Sequence, residues 1–286
     1  MSETHNIRPS TNSLVERMFI ATADENYILA RWAAINHLDL DFLWLGLHAV
    51  EKYLKAVLLL NGKPAKGYNH NIERLYQDVL RLNPRLSFES LAKPPFLQGM
   101  EHTHWIDESV EGFVRRLNDM GDPNNRYMLY GFDVWSEDLF KLDQVVWKIR
   151  RHCRPLKQFI RDARQTITID WIEQLKKHVG HWTLGSNLPI EKVLAGNESP
   201  AITEAFRALN VPFTPDRIHV LAGWRTSSRN SPLADWYRQL RNEQAPPERR
   251  DENKSKFQWV LDNIDLPKRD KEEIQAALDT YRGGAG

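Results

Sequence analysis

A single cysteine, Cys153, stands in 286 residues, which excludes a disulfide framework and a cysteine-built zinc finger and suits a reducing compartment. Charge of one sign is equally scarce: 39 lysines and arginines meet 38 aspartates and glutamates, a formal net charge of +1. No global field marks a nucleic-acid or membrane partner, so any such partner must be argued from a local patch. A long uninterrupted apolar run is missing too. The longest, Phe42 to Leu60, is broken by His48, Glu51, Lys52 and Lys55. Polar groups at mid-bilayer are costly, so this reads as a buried helix and no membrane is expected as a partner. The polar stretch Met1 to Asn12 lacks the apolar core of a signal peptide, and the expectation is a cytoplasmic protein. No phosphate-cradling P-loop, glycine-rich dinucleotide turn, nucleophile elbow or zinc-protease motif occurs. No cofactor is expected, and none of the isolated histidines, His102, His104, His178 or His181, has an identified set of metal co-ligands.

What is present is globular in composition, 41 % hydrophobic and 27 % charged, over a length that fits two ordinary domains. Apolar residues recur at helical spacing from Ser13 to Asn36 (Leu14, Met18, Ala21, Ile28, Ala30, Trp32, Ile35). Asp39 or Asp41 can cap a second helix reaching about Leu60, where Asn61-Gly62-Lys63-Pro64 stops it. A shorter helix follows over His70 to Leu82, then a proline-bearing loop from Pro84 to Gly99. Helical pattern returns over Ile106–Leu117 and over Ser136–Arg151, with Ser136 as the cap. Five helices, one of them central and nearly wholly apolar, make an all-α bundle. Beyond Lys157 come shorter candidates: Trp171–His178, Glu191–Leu194, Ala201–Leu209, Leu233–Leu240, Lys256–Ile264 and Lys271–Arg282. The run Arg241 to Lys256 reads as a polar linker. No alternating strand pattern with hairpin turns is found, so no sheet is expected. The division expected is a bundle over 1–157 and a second, smaller helical domain over 158–286.

The most informative segment is Leu43 to Leu58. His48, Glu51, Lys52 and Lys55 recur three and four residues apart and line one stripe of a greasy helix. The stripe is either a solvated strip supported by a Glu51–Lys55 pair or a polar seam facing a groove or a second subunit. A second feature is the stretch from Lys148 to Arg164, where seven lysines and arginines face one acid, Asp162. Lys148, Arg150, Arg151 and Arg154 there can neutralise phosphates, or else serve a helix C-terminus and an interdomain surface. Cys153 beside them is either a thiol of lowered pKa or a buried inert one. Tryptophans Trp171, Trp182, Trp224, Trp236 and Trp259 can stack on bases, though at helical spacing such residues are usually core.

The segment Leu47-His48-Ala49-Val50-Glu51-Lys52-Tyr53-Leu54-Lys55, then His70 opening the next helix, then Arg126-Tyr127 before the last long helix, resembles the HEPN (higher eukaryotes and prokaryotes nucleotide-binding) domain over residues 18–156. The resemblance implies an up-and-down helical bundle, often a homodimer, that binds a nucleotide or RNA through His48, Glu51, Lys52, Lys55, His70, Arg126 and Tyr127. It also implies a bacterial stress, toxin–antitoxin or phage-defence setting. Many members are metal-independent ribonucleases that use an arginine and a histidine four to six residues apart, one stabilising phosphate charge and the other moving a proton. No histidine follows Arg126 at that distance. Arg31 and His37 alone match the spacing, on the first helix, and are the catalytic candidates. A nucleotide- or RNA-binding protein is thus set against a ribonuclease with an unconventional site and against a helical scaffold. A protein partner is assigned to the C-terminal region.

Overall fold

A computed structural model of the chain describes residues 7–88, 90–98, 105–129, 131–161, 166–178, 180–215, 226–242, 244–264, 266 and 268–282. It is mostly helical, in agreement with the all-α expectation. Two compact units emerge, Met1–Asp122 with Val134–Thr226, and Pro123–Asp133 with Ser227–Gly286. The boundary expected at residue 157 falls inside the first unit.

In the first unit, α1 (Ile7–Val15) continues through one π turn (Glu16–Ile20) into α2 (Ala21–Ile35). The chain reverses at His37, whose φ is 59°, and enters α3 (Asp39–Leu60). Leu38 holds the N-cap position without a side-chain bond, so Asp39 and Asp41 act in the first turn through the helix dipole. Because α3 is apolar nearly all round, it can bury several faces at once. It packs against α2, α4 (Ile72–Leu80), α5 (Val110–Met120) and α6 (Asp138–Arg150). Phe42, Leu47, Val50, Tyr53, Leu54 and Val57 are fully buried in it, each worth about 1.5–3 kcal/mol of transfer free energy. Where α5 ends, Gly121 passes so close over α3 that a Cβ would lie 2.6 Å from the Leu43 carbonyl oxygen. Ser136 does not cap α6; that position belongs to Glu137, which makes no side-chain cap bond.

After α6 the structure departs from expectation. Lys157–Arg161 and Thr166–Asp170 form an antiparallel hairpin, with Gln158 opposite Ile169 and Phe159 opposite Thr168. Thr166-Ile167-Thr168-Ile169 does alternate and is wholly β-branched, which favours a strand, but four residues are too few for periodicity to register against helical neighbours. Asp170 then caps α7 (Trp171–Lys177). Two further helices, α8 (Pro189–Ala195) and α9 (Pro200–Arg207), lie against α2.

The second unit joins three helices, α10 (Pro232–Arg241), α11 (Pro247–Asn263) and α12 (Lys268–Arg282), around Leu240, Phe257, Val260, Leu266, Ile274 and Leu278. Leu129 packs on that core from the earlier segment. A short strand pair, Phe132–Val134 with Ser227–Arg229, accompanies it. The expected linker from Arg241 to Lys256 is for the most part helix: Pro247 takes the first helical turn, where its missing N–H costs nothing. Among the described residues no helix is long and apolar enough to cross a membrane. His102, His104, Trp224 and the side chains of Arg126 and Tyr127 lie outside the described residues.

Candidate functional site

Glu51 is the centre of the site. It sits mid-way along α3 with only 4 % of its side chain exposed, so the stripe is not a solvated strip. Three side chains converge on it. His48 Nδ1 lies 3.3 Å and His70 Nδ1 3.0 Å from the same oxygen, Oε2, while Lys55 Nζ donates to Oε1 at 2.5 Å. The helical repeat brings His48 and Lys55 to Glu51 from one turn below and one turn above. His70 arrives from the loop before α4, and the sequence builds that approach locally. Asn69 and His70 both adopt left-handed backbone, with φ of 47° and 66°, a conformation that Asn and His tolerate better than most residues. Asn71 then caps α4 by accepting from the Arg74 N–H at 2.8 Å, and the Ile72 N–H donates to Asn118 of α5 at 2.9 Å. His70 is thereby held against Glu51 with half of its side chain exposed (50 %).

The electrostatics follow from this packing. Burial alone would push the Glu51 carboxyl up, but hydrogen bonds from His48, Lys55 and His70 outweigh it and hold the pKa at about 2. The group is therefore an anion at any physiological pH. With each Nδ1 turned to the carboxylate, the proton is assigned there, and each Nε2 is left as an acceptor. The two rings stand nearly perpendicular with centroids 5.6 Å apart, and Trp44 braces His48 edge-on at 4.2 Å. Trp44 lies one helical turn before His48, the spacing that brings two side chains of a helix together. The donor atoms of His48, Glu51 and His70 lie within 4.8 Å of one another, and two imidazoles with one carboxylate are a donor set that can hold a divalent ion such as zinc.

Other expected residues go elsewhere. Lys52 turns to α2, donating to Asn26 Oδ1 at 2.6 Å and Thr22 O at 3.4 Å, because one residue along a helix rotates the side chain about 100° from Glu51. Arg31 is fully buried. Its guanidinium pairs with Asp143 and donates to the carbonyls of Ala205 and Ala208, while His37 is exposed beyond the end of α2. The two are not presented to a common substrate, and Arg31 is a core residue.

The arginine-rich segment is largely interior as well. Arg150 forms two-pronged contacts with Asp24 (2.8 and 2.8 Å) and with Glu191 (3.1 and 2.7 Å), and Tyr53 donates to the same Asp24 at 2.5 Å. It cannot neutralise a phosphate without leaving two buried acids uncompensated. Arg151 donates to the carbonyls of Leu175 and His178. Arg154 lies over Trp171 at 4.4 Å and Trp182 at 5.6 Å, and burial lowers its pKa to about 10. Lys148 is half-buried at the edge of a cleft. Cys153 is the inert kind: burial drives its thiol pKa upward. The acids that dictate this arrangement, Asp24, Asp143 and Glu191, carried no signal in the sequence, because their partners are remote in the chain.

Compared with protein-family models, curated proteins and solved structures, the chain matches none.

Proposed function

We propose that the first unit is a HEPN-like domain that binds the phosphate of a nucleotide or of RNA at the α3–α4 cluster, in a bacterial stress, toxin–antitoxin or phage-defence setting. One observation carries this reading: His48, His70 and Lys55 converge on a single buried carboxylate at a rim that solvent reaches. Two imidazoles and the Lys55 ammonium stand around one carboxylate, a set of donors that suits a phosphate. These are also residues to which the resemblance points, and it adds Arg126 and Tyr127 as further ligands. The test is binding of 5′-hydroxyl single-stranded RNA in chelator, wild type against Lys55→Ala and His70→Ala. Loss of about tenfold or more in both variants supports the reading, since that corresponds to about 1.4 kcal/mol. RNA binding that neither variant changes retires it.

A second reading, metal-independent cleavage of RNA, rests on the way Glu51 orients both imidazoles. One Nε2 would take the proton of a ribose 2′-hydroxyl as that oxygen attacks phosphorus, and the other ring would protonate the departing 5′ oxygen. Products ending in 2′,3′-cyclic phosphate, formed in chelator and absent for His48→Ala, would establish it.

The resemblance also brings a homodimer. Leu14 of α1, Met18 of the π turn, and Leu29 and Trp32 of α2 are exposed, apolar surface that a second copy would cover. Sedimentation at high micromolar concentration should show a dimer that Met18→Glu with Leu29→Glu dissociates.

A further inference from the structure

His48 and Glu51 stand one helical turn apart on α3, and His70 meets them from the loop before α4. Histidine and carboxylate one turn apart, with further ligands from neighbouring helices, is how metal centres are built inside helical bundles. The distances here are those of a coordination shell. Atoms held about 2.0–2.1 Å from a tetrahedral ion stand about 3.3 Å from one another. His48 Nδ1 and His70 Nδ1 lie 3.3 and 3.0 Å from Glu51 Oε2, and the donor atoms of the three residues all fall within 4.8 Å of one another. For a hydrogen bond from an imidazole to a carboxylate 3.3 Å is long; for the edge of a coordination tetrahedron it is the expected value. Among the described residues no other trio of histidine, cysteine or carboxylate side chains converges in this way.

Lys55 does not block the position. Its ammonium sits on the other carboxylate oxygen, Oε1, at 2.5 Å, so it fixes the carboxylate and leaves Oε2 turned to the two rings, as the outer partners of a metal ligand do. Trp44 braces His48 from the far side at 4.2 Å. His70, half exposed on its loop, is the ligand that can adjust to an ion. Only 15 % of His48 and 4 % of Glu51 are exposed, so solvent reaches the position from the His70 side.

The donor set selects the ion. Magnesium and calcium take oxygen ligands throughout, whereas two imidazoles with one carboxylate suit zinc. We propose that His48, Glu51 and His70 bind one zinc ion through Nδ1, Oε2 and Nδ1, with the fourth position left to water or to a phosphate oxygen. On binding, each Nδ1 gives its lone pair to the metal and its proton passes to Nε2, so both rings stay neutral. Three protein ligands and one open position is the arrangement of zinc sites that act on a ligand, whereas four protein ligands close a structural site. The proposal shares residues with the phosphate reading and does not rest on it, since the ion binds with no nucleic acid present.

The experiment is calorimetric titration of the full, tag-free chain, treated with chelator and then freed of it, with zinc chloride and separately with magnesium chloride. The expected result is one zinc per chain, bound at least about a hundredfold more tightly than magnesium. His70→Ala and Glu51→Gln should each weaken zinc by about a hundredfold or more, because loss of an outer partner alone costs about ten- to a hundredfold. His178→Ala, at an exposed histidine elsewhere, should leave the affinity unchanged. Cobalt in place of zinc should give the intense visible absorption of a four-coordinate ion, and His48→Ala should abolish it. His70 is half exposed, so its variant keeps the fold, which an unchanged thermal midpoint checks. No zinc uptake, equal affinity for zinc and magnesium, or zinc affinity unchanged in His70→Ala would each overturn the proposal. The RNA titration runs in chelator and this one runs without RNA, so either reading can fail while the other stands.

Discussion

Arg150 and Arg151 are neighbours in a run of cations that reads as surface, yet both are buried, and the reason lies in groups far away in the chain. Arg150 sits between Asp24 and Glu191. Arg150→Met should leave both acids uncompensated and cost about 3–5 kcal/mol, against less than 1 kcal/mol for Lys148→Ala; chemical denaturation of the two variants checks this. A charge run shows how many cations there are and not which acids will face them, so the core role of Arg31 and Arg150 was not legible. The Glu51 cluster was legible, because helical spacing alone places His48 and Lys55 beside it. Two titrations follow. The unfolded Glu51 carboxyl takes a proton near its ordinary value of 4.5 and the folded one only at about 2. The stability this group contributes is therefore fully present above pH 4.5 and falls as pH drops through that window, by about 3 kcal/mol, a slope that Glu51→Gln should flatten. His152 acts in a higher window. The unfolded ring protonates near 6.5 and the folded one at about 4, so stability again falls with falling pH, here by about 3 kcal/mol between those values. Thermal midpoints across pH 7 to 2, for the wild type, His152→Phe and Glu51→Gln, separate the two effects.

At the scale of elements, α3 was readable because its apolar pattern is long and its stop signal strong. The hairpin at 157–170 and the start of α11 were not. A four-residue β-branched run and a Pro-Pro pair are each ambiguous until a neighbour decides, and local sequence does not contain that neighbour. Close packing at element ends gives a sharper test. A Cβ at Gly121 would meet backbone at 2.6 Å, which cannot rotate away, whereas one at Gly112 within α5 meets the flexible Glu108 side chain at 3.2 Å. Gly121→Ala should therefore cost about 1–3 kcal/mol. Gly112→Ala should be neutral or stabilising by up to about 1 kcal/mol, because alanine is the better helix former. Denaturation midpoints of the two variants should move in opposite directions or, at the least, only the first should fall.

At the scale of the molecule, each unit has its own buried core, so two-state unfolding is not expected. Phe257 is fully buried in the second unit, and Phe257→Ala should cost that unit about 3–5 kcal/mol. Calorimetry should show one transition moving down while binding that depends on His70 persists. The division itself was beyond the reach of sequence, since it follows contacts and no change of composition marks residues 123–133. That short excursion has a consequence for how the protein is made. Leu129 leaves the ribosome well before Phe257 and Leu278, the residues that will cover it. Until translation is nearly finished, an apolar side chain on the excursion waits uncovered while the first unit can already close around its own core. A stalled or truncated message therefore yields a first unit that displays an unsatisfied sticky loop, and no single cut in the gene separates the two units cleanly.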